Sequence, residues 1–151
     1  MSAASPRLIF NQRVPPTAVG SPAVSSEVTQ AQPFHPLAIV DLDQAMNKMA
    51  SLMQGTSRVP TQGAVELALE WLSLTFDRGY KLGGWRRPHI SSTEDGEVVF
   101  EWWQGKRNLT LYFSDNGAEY IEVWGSDMDN EMLSGPLTNW SFSNAWLRLH
   151  S

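Results

Sequence analysis

The sequence predicts an α+β fold, with two helices packed on one face of a four-stranded antiparallel meander and a disordered arm at the N-terminus. Three observations carry this prediction. Apolar residues recur at steps of three and four between Pro36 and Arg78. The period then changes to two after Gly83-Gly84, and tight-turn signals at Asp95-Gly96, Gly105-Lys106 and Asn116-Gly117 divide the alternating stretch into short strands.

Residues 1–33 read as a flexible arm, and 34–151 as one domain. The arm is rich in Ser, Ala, Pro and Val, with Arg7, Arg13 and Glu27 as its charges, and neither period runs through it. Such a stretch buries too little apolar surface to offset its ordering entropy. Its cluster Leu8-Ile9-Phe10 is a segment able to fold onto a partner.

The first helix begins near Pro36, with Ile39, Leu42, Met46, Met49 and Met53 as its apolar stripe and Gly55 at its end. The second runs from about Thr61, a good N-cap, to Arg78; Val65, Leu69, Leu72 and Phe76 form its stripe, and Gly79 is its expected C-terminal cap. Strands follow at Pro88–Thr93, Glu97–Trp103, Asn108–Ser114 and Ala118–Gly125, joined by hairpin turns. The acidic stretch Ser126–Pro136 reads as a loop. The aromatic segment Trp140–Leu149 reads as a short helix starting after Ser143.

Alternation divides the sheet into two faces. Val98, Phe100, Trp102, Leu109, Leu111, Phe113, Ile121 and Val123 form one wholly apolar face, expected to pack on the helices. The other collects Val99, Glu101, Trp103, Thr110, Tyr112, Tyr120, Glu122 and Trp124, mixing aromatics with carboxylates. Two accounts fit that mixture. Either the Trp140–Leu149 segment or the arm covers the face, or its aromatics are exposed anchors ringed by acids, as at a protein interface.

Chemistry is sought and not found. Cysteine is absent, which removes disulfides and thiol catalysis and fits a reducing, cytoplasmic setting. No apolar run is long enough for a membrane span, and no leader-like apolar stretch opens the chain, so neither a membrane nor a secreted role is expected. The histidines His35, His89 and His150 show no metal-ligand spacing, and no HExxH, nucleophile elbow or phosphate loop is present. Asp127, Asp129 and Glu131 alternate like part of a calcium loop but lack its glycine register. The expectation is a non-enzyme with no cofactor and no metal.

Net charge is −5, and it is unevenly placed: ten acids between Glu94 and Glu131 face two basic residues, Lys106 and Arg107. An acidic sheet repels phosphate backbones and suits a basic protein partner. The candidate contact residues are Glu101, Trp103, Tyr112, Tyr120, Glu122 and Trp124. The alternative is an accessory subunit of a nucleic-acid-handling complex, with Arg78, Lys81, Arg86 and Arg87 beside Tyr80 and Trp85 making the contact. Pairing with a second copy is open to an unprotected strand edge, at Pro88–Thr93 or Ala118–Gly125.

The stretch Arg87-Pro88-His89-Ile90-Ser91-Ser92-Thr93-Glu94-Asp95-Gly96-Glu97-Val98-Val99-Phe100-Glu101-Trp102, with Leu109-Thr110-Leu111-Tyr112-Phe113-Ser114-Asp115-Asn116-Gly117-Ala118-Glu119-Tyr120 after it, resembles a family of small bacterial proteins. Their signature is P-x-(I/V)-S-x-T-x-D-G-x-(V/I)-x-F-E-W followed by a hairpin, and the likeness spans about residues 61–125. It implies an α+β fold and a bacterial, phage or mobile-element origin. It brings no active site with it. By analogy, antitoxin-, immunity- or inhibitor-like binding is expected.

Overall fold

The computed structural model describes residues 36–55 and 57–151. The expected arm at 1–33, with Leu8-Ile9-Phe10, lies outside the described residues. Three helices and five strands follow in the order α1 (Pro36–Met53), α2 (Gln62–Lys81), β1 (His89–Ser92), β2 (Val98–Gln104), β3 (Arg107–Ser114), β4 (Gly117–Val123), β5 (Met132–Pro136) and α3 (Asn139–Leu149). The strands form one antiparallel sheet in sequence order, β1 to β5. The predicted α+β meander is therefore present, enlarged by one strand and one helix.

The stripe that α1 turns inward keeps Leu42 and Met49 of the expected one and leaves out Ile39, Met46 and Met53. Ala38, Leu42, Ala45, Met49 and Leu52 meet the core, whereas Ile39, Met46 and Met53 are 41%, 45% and 52% exposed. Two adjacent stripes on this helix satisfy the 3.6-residue period, and ranking by side-chain size selects the wrong one. The alanines face inward and let α1 approach its neighbours closely.

α2 starts where expected. Thr61 Oγ1 accepts from the Ala64 N–H at 3.2 Å and donates to Asp115 Oδ1 at 2.8 Å, and the Thr61 N–H donates to the Gly96 carbonyl at 3.0 Å. One threonine thus caps the helix and ties it to two hairpin turns. The helix does not stop at Gly79 but runs on to Lys81. Gly79 serves packing instead: an added Cβ would lie 2.8 Å from Trp85 Cδ1 and 3.2 Å from the Trp146 ring. It is glycine because two indoles press against that turn.

In the sheet, β2 and β3 present Val98, Phe100 and Trp102 opposite Phe113, Leu111 and Leu109, all at most 2% exposed. That part of the inner face is as predicted. β4 is inverted relative to the expectation. The turn after β3 has two residues, Asp115 and Asn116, so Ser114 pairs with Gly117, Leu111 with Tyr120 and Leu109 with Glu122. A one-residue difference in turn length exchanges the faces of every residue beyond it. Tyr120 and Glu122 therefore point toward the helices, and Ile121 and Val123 lie on the opposite face.

β5 forms within the stretch read as a loop, pairing Val123 with Met132 and Glu119 with Pro136. It is short, lies at the sheet edge and ends in proline, which an edge tolerates. The edges are consequently β1 and β5, and the predicted edge at 118–125 is paired on both sides. α3 begins five residues before the expected start, because Thr138 and Ser141 build a reciprocal capping box. Its Phe142, Ala145, Trp146 and Leu149 enter the same core as α1 and α2. Trp146 meets Trp102 edge to face at 5.3 Å, and the Trp102 indole N–H donates to the Arg86 carbonyl at 2.7 Å.

Candidate functional site

All three helices pack on one face of the sheet, so no helix among the described residues covers the other. The account in which Trp140–Leu149 folds over the aromatic face is thereby corrected: that segment lies on the core side. Alternation and register assign the uncovered face to His89 and Ser91, Val99, Glu101 and Trp103, Asn108, Thr110 and Tyr112, Glu119, Ile121 and Val123, with Met132 and Ser134.

By register its middle row runs through His89, Glu101, Thr110, Ile121 and Ser134, with Val99 and Tyr112 on one side of it and Trp103, Val123 and Met132 on the other. Trp103 is 51% exposed, and Tyr112, Ile121, Val123 and Met132 are half-buried. Val99 and Thr110 fall to 6% and 5% without any helix above them, crowded by the cross-strand neighbours Tyr112 and Ser91, and Glu101 and Ile121. Arg58, Ser91, Glu94, Val99, Glu101 and Tyr112 line a shallow dish at one corner. The Arg58–Glu94 pair there, at 3.4 Å, has side chains 61% and 82% exposed, so it adds little to stability.

The six predicted contact residues separate into two groups. Glu101, Trp103 and Tyr112 share the uncovered face. Tyr120, Glu122 and Trp124 do not. Tyr120 packs against the core. Glu122 is 3% exposed and accepts two hydrogen bonds from Arg148 of α3, Nε at 2.6 Å and Nη2 at 3.1 Å. That guanidinium also lies 5.5 Å from the centre of the Trp124 ring. The hydrogen bonds to the Glu122 carboxylate raise the Arg148 pKa above its ordinary value. These three residues anchor α3. The face residues missed from sequence are Glu119, Ile121, Val123 and Met132. Counting two residues rather than three in the Asp115-Asn116 turn is the signal that would have found the first three.

The basic alternative also disperses. Arg86 Nη2 donates to the Trp103 carbonyl at 2.9 Å and to Gln104 Oε1 at 3.2 Å, holding the end of β2. Lys81 pairs with Asp77 at 3.2 Å, and Arg78 is exposed on α2. Trp85 is 6% exposed and packs edge to face on Phe76 at 5.2 Å, which withdraws it from any stacking on bases. Arg87 is exposed and borders a cleft beside α1.

The acidic stretch 126–131 is folded around its own carboxylates. Asp127 accepts from Asn130 Nδ2 at 2.8 Å and from the Asp129 N–H at 3.1 Å, and Glu131 Oε1 accepts from the Asp127 N–H at 2.9 Å. The Asn130 and Asp129 donors hold the Asp127 pKa below its ordinary 3.8. Among the described residues, no group of three or more His, Asp or Glu side chains is placed to hold a metal ion. No helix there is long and apolar enough to cross a membrane. No family model matches this chain, and no curated protein or solved structure matches it significantly.

Proposed function

We propose that the helix-free sheet face is a docking surface, and that the chain is a non-enzymatic binder of a protein whose contact patch is basic. The observation that carries the reading is the sidedness of the fold. Three helices cover one face, while Trp103, Tyr112, Ile121 and Val123 lie on the other with no helix over them. A tryptophan half in water on the same face as a half-buried tyrosine and aliphatic side chains fits the composition of an interface. Glu101 and Glu119 stand on this face and Glu94 at its corner, so charge complementarity selects lysines and arginines opposite them. A second copy of the same face would set acid against acid. The reading is of an antitoxin-, immunity- or inhibitor-like protein that covers a basic working surface of another protein.

The test uses a basic partner captured on the full chain and then purified. Trp103→Ala and Tyr112→Ala are expected to weaken its affinity at least about tenfold, with the melting temperature nearly unchanged. Glu101→Lys is expected to slow association and flatten its salt dependence. Trp140→Ala is the control, since Trp140 is 77% exposed but lies on α3. Equal weakening by Trp140→Ala, or none by Trp103→Ala, removes this face from the interface.

A further inference from the structure

A second concavity lies at the β1 edge of the sheet, between that strand and α1, and encloses about 610 Å³. Its floor is apolar: Ala45 and Ile90 are 1% and 2% exposed, and Pro88 is buried with them. Its rim is basic and amide-bearing, with Lys48, Gln44 and Asn47 on the helix wall and Arg87 and His89 on the strand wall.

Arg87 and His89 alternate along the chain with the buried Pro88 and Ile90, and all four border the cleft. Gln44 and Lys48 stand four apart on α1, with Asn47 between them, and so share a helical face. No carboxylate lines the cleft, although the chain has 16 acids against 11 lysines and arginines. Glu101, the cross-strand partner of His89, is outside the lining. Neither Lys48 nor Arg87 joins the ion pairs of the described residues, which are Arg58–Glu94, Lys81–Asp77 and Arg148–Glu122. Other arginines are engaged: Arg86 by the end of β2, and Arg107 by the carbonyls of Arg148 and Ser151 at 2.7 and 2.6 Å.

We infer that this cleft binds a small oxyanionic ligand, its phosphate or carboxylate group held between Arg87 and Lys48 and its apolar part resting on Ala45, Pro88 and Ile90. An open concavity with an apolar floor and a few convergent polar groups is the usual form of a small-molecule site, and the volume suits a metabolite-sized molecule. The planar Arg87 fork matches either oxyanion in two-point fashion, and Lys48 supplies a point charge. Gln44 and Asn47 add neutral donors that need no counter-charge. The cleft borders the sheet face at His89 but includes none of Glu101, Trp103, Tyr112 and Glu119, so its failure would leave the docking proposal standing.

The test titrates inorganic phosphate, and separately citrate, into the 15N-labelled full chain, with sodium chloride adjusted to constant ionic strength. Saturable shifts confined to the amides of residues 44–48 and of Arg87, His89 and Ile90 are expected. Saturation by phosphate alone assigns a phosphate-bearing ligand, and by citrate alone a polycarboxylate; saturation by both supports the shared oxyanion chemistry. Arg87→Ala and Lys48→Ala are each expected to weaken affinity about tenfold, the scale of one charge-assisted hydrogen bond. Asn47→Asp, which adds an acid without removing a cation, is expected to do the same. Arg78→Ala, an exposed cation outside the cleft, leaves affinity unchanged. The inference is overturned if neither anion saturates, or if Arg78→Ala weakens binding as much as Arg87→Ala.

Discussion

Replacing Arg148 with alanine removes the counter-charge of a carboxylate that water barely reaches. Glu122 is 3% exposed, and both its oxygens accept from that one guanidinium, at 2.6 and 3.1 Å. Removing one partner of a buried pair typically costs about 3–5 kcal/mol, because the remaining charge is left desolvated. Here the arginine side chain is 42% exposed, so water enters where it stood and the cost falls to about 2 kcal/mol. Loss of the stack on Trp124 adds about 0.5 kcal/mol. The assay is urea unfolding at neutral pH, since guanidinium salt would screen the charges being measured. Glu122→Gln keeps an acceptor and frees Arg148 to water, so it is expected to cost only about 1 kcal/mol. Glu122→Leu combined with Arg148→Ala is expected to recover at least about 1 kcal/mol relative to Arg148→Ala alone, since no unpaired charge remains. A cost below about 0.5 kcal/mol for Arg148→Ala, or strict additivity in the double variant, would refute a desolvated bridge. If Glu122 instead contacted a partner, Glu122→Gln would weaken the complex and leave stability untouched.

Gly79→Ala is expected to destabilise the chain by about 1–2 kcal/mol. The gain of about 1 kcal/mol in helix propensity is outweighed by overpacking against Trp85 and Trp146, which are 6% and 1% exposed and cannot swing aside. A thermal melt decides it, and a rise in melting temperature would contradict the packing role. Asp127 is expected to titrate below 3.8 when its carboxyl carbon is followed by NMR, because its charged form accepts the Asn130 and Asp129 donors. For a lowered carboxylate pKa the stabilisation is present above the unfolded value and is lost as pH falls through the folded one. The contribution of the Asp127 carboxylate to the 126–131 loop should therefore be lost as pH falls below 3.8, and a midpoint at or above 3.8 counts against this. Trp103→Ala is expected to cost less than about 1 kcal/mol in the same urea assay, since half of that side chain is already in water.

Much of the architecture is written in local signals. Thr61 opens α2 because its hydroxyl caps the first turn, and Val98, Phe100, Trp102, Leu109, Leu111 and Phe113 line the inner face because alternation within two strands is read without knowing anything else. What the chain could not reveal locally depends on counting across turns or on neighbours distant in sequence. β4 changes faces because the Asp115-Asn116 turn holds two residues, and parity then propagates to Tyr120, Glu122 and Val123. β5 exists only because β4 offers it an edge, and Gly79 is explained only once Trp85 and Trp146 arrive. Half of the candidate contact set was legible for the same reason: Glu101, Trp103 and Tyr112 precede the ambiguous turn, whereas Tyr120, Glu122 and Trp124 follow it. By itself the sequence determined an acidic, two-faced antiparallel sheet with helices against it. Only the tertiary structure decided which acids are buried and which face the described helices leave uncovered, because burial is a property of how elements stack and not of any one segment.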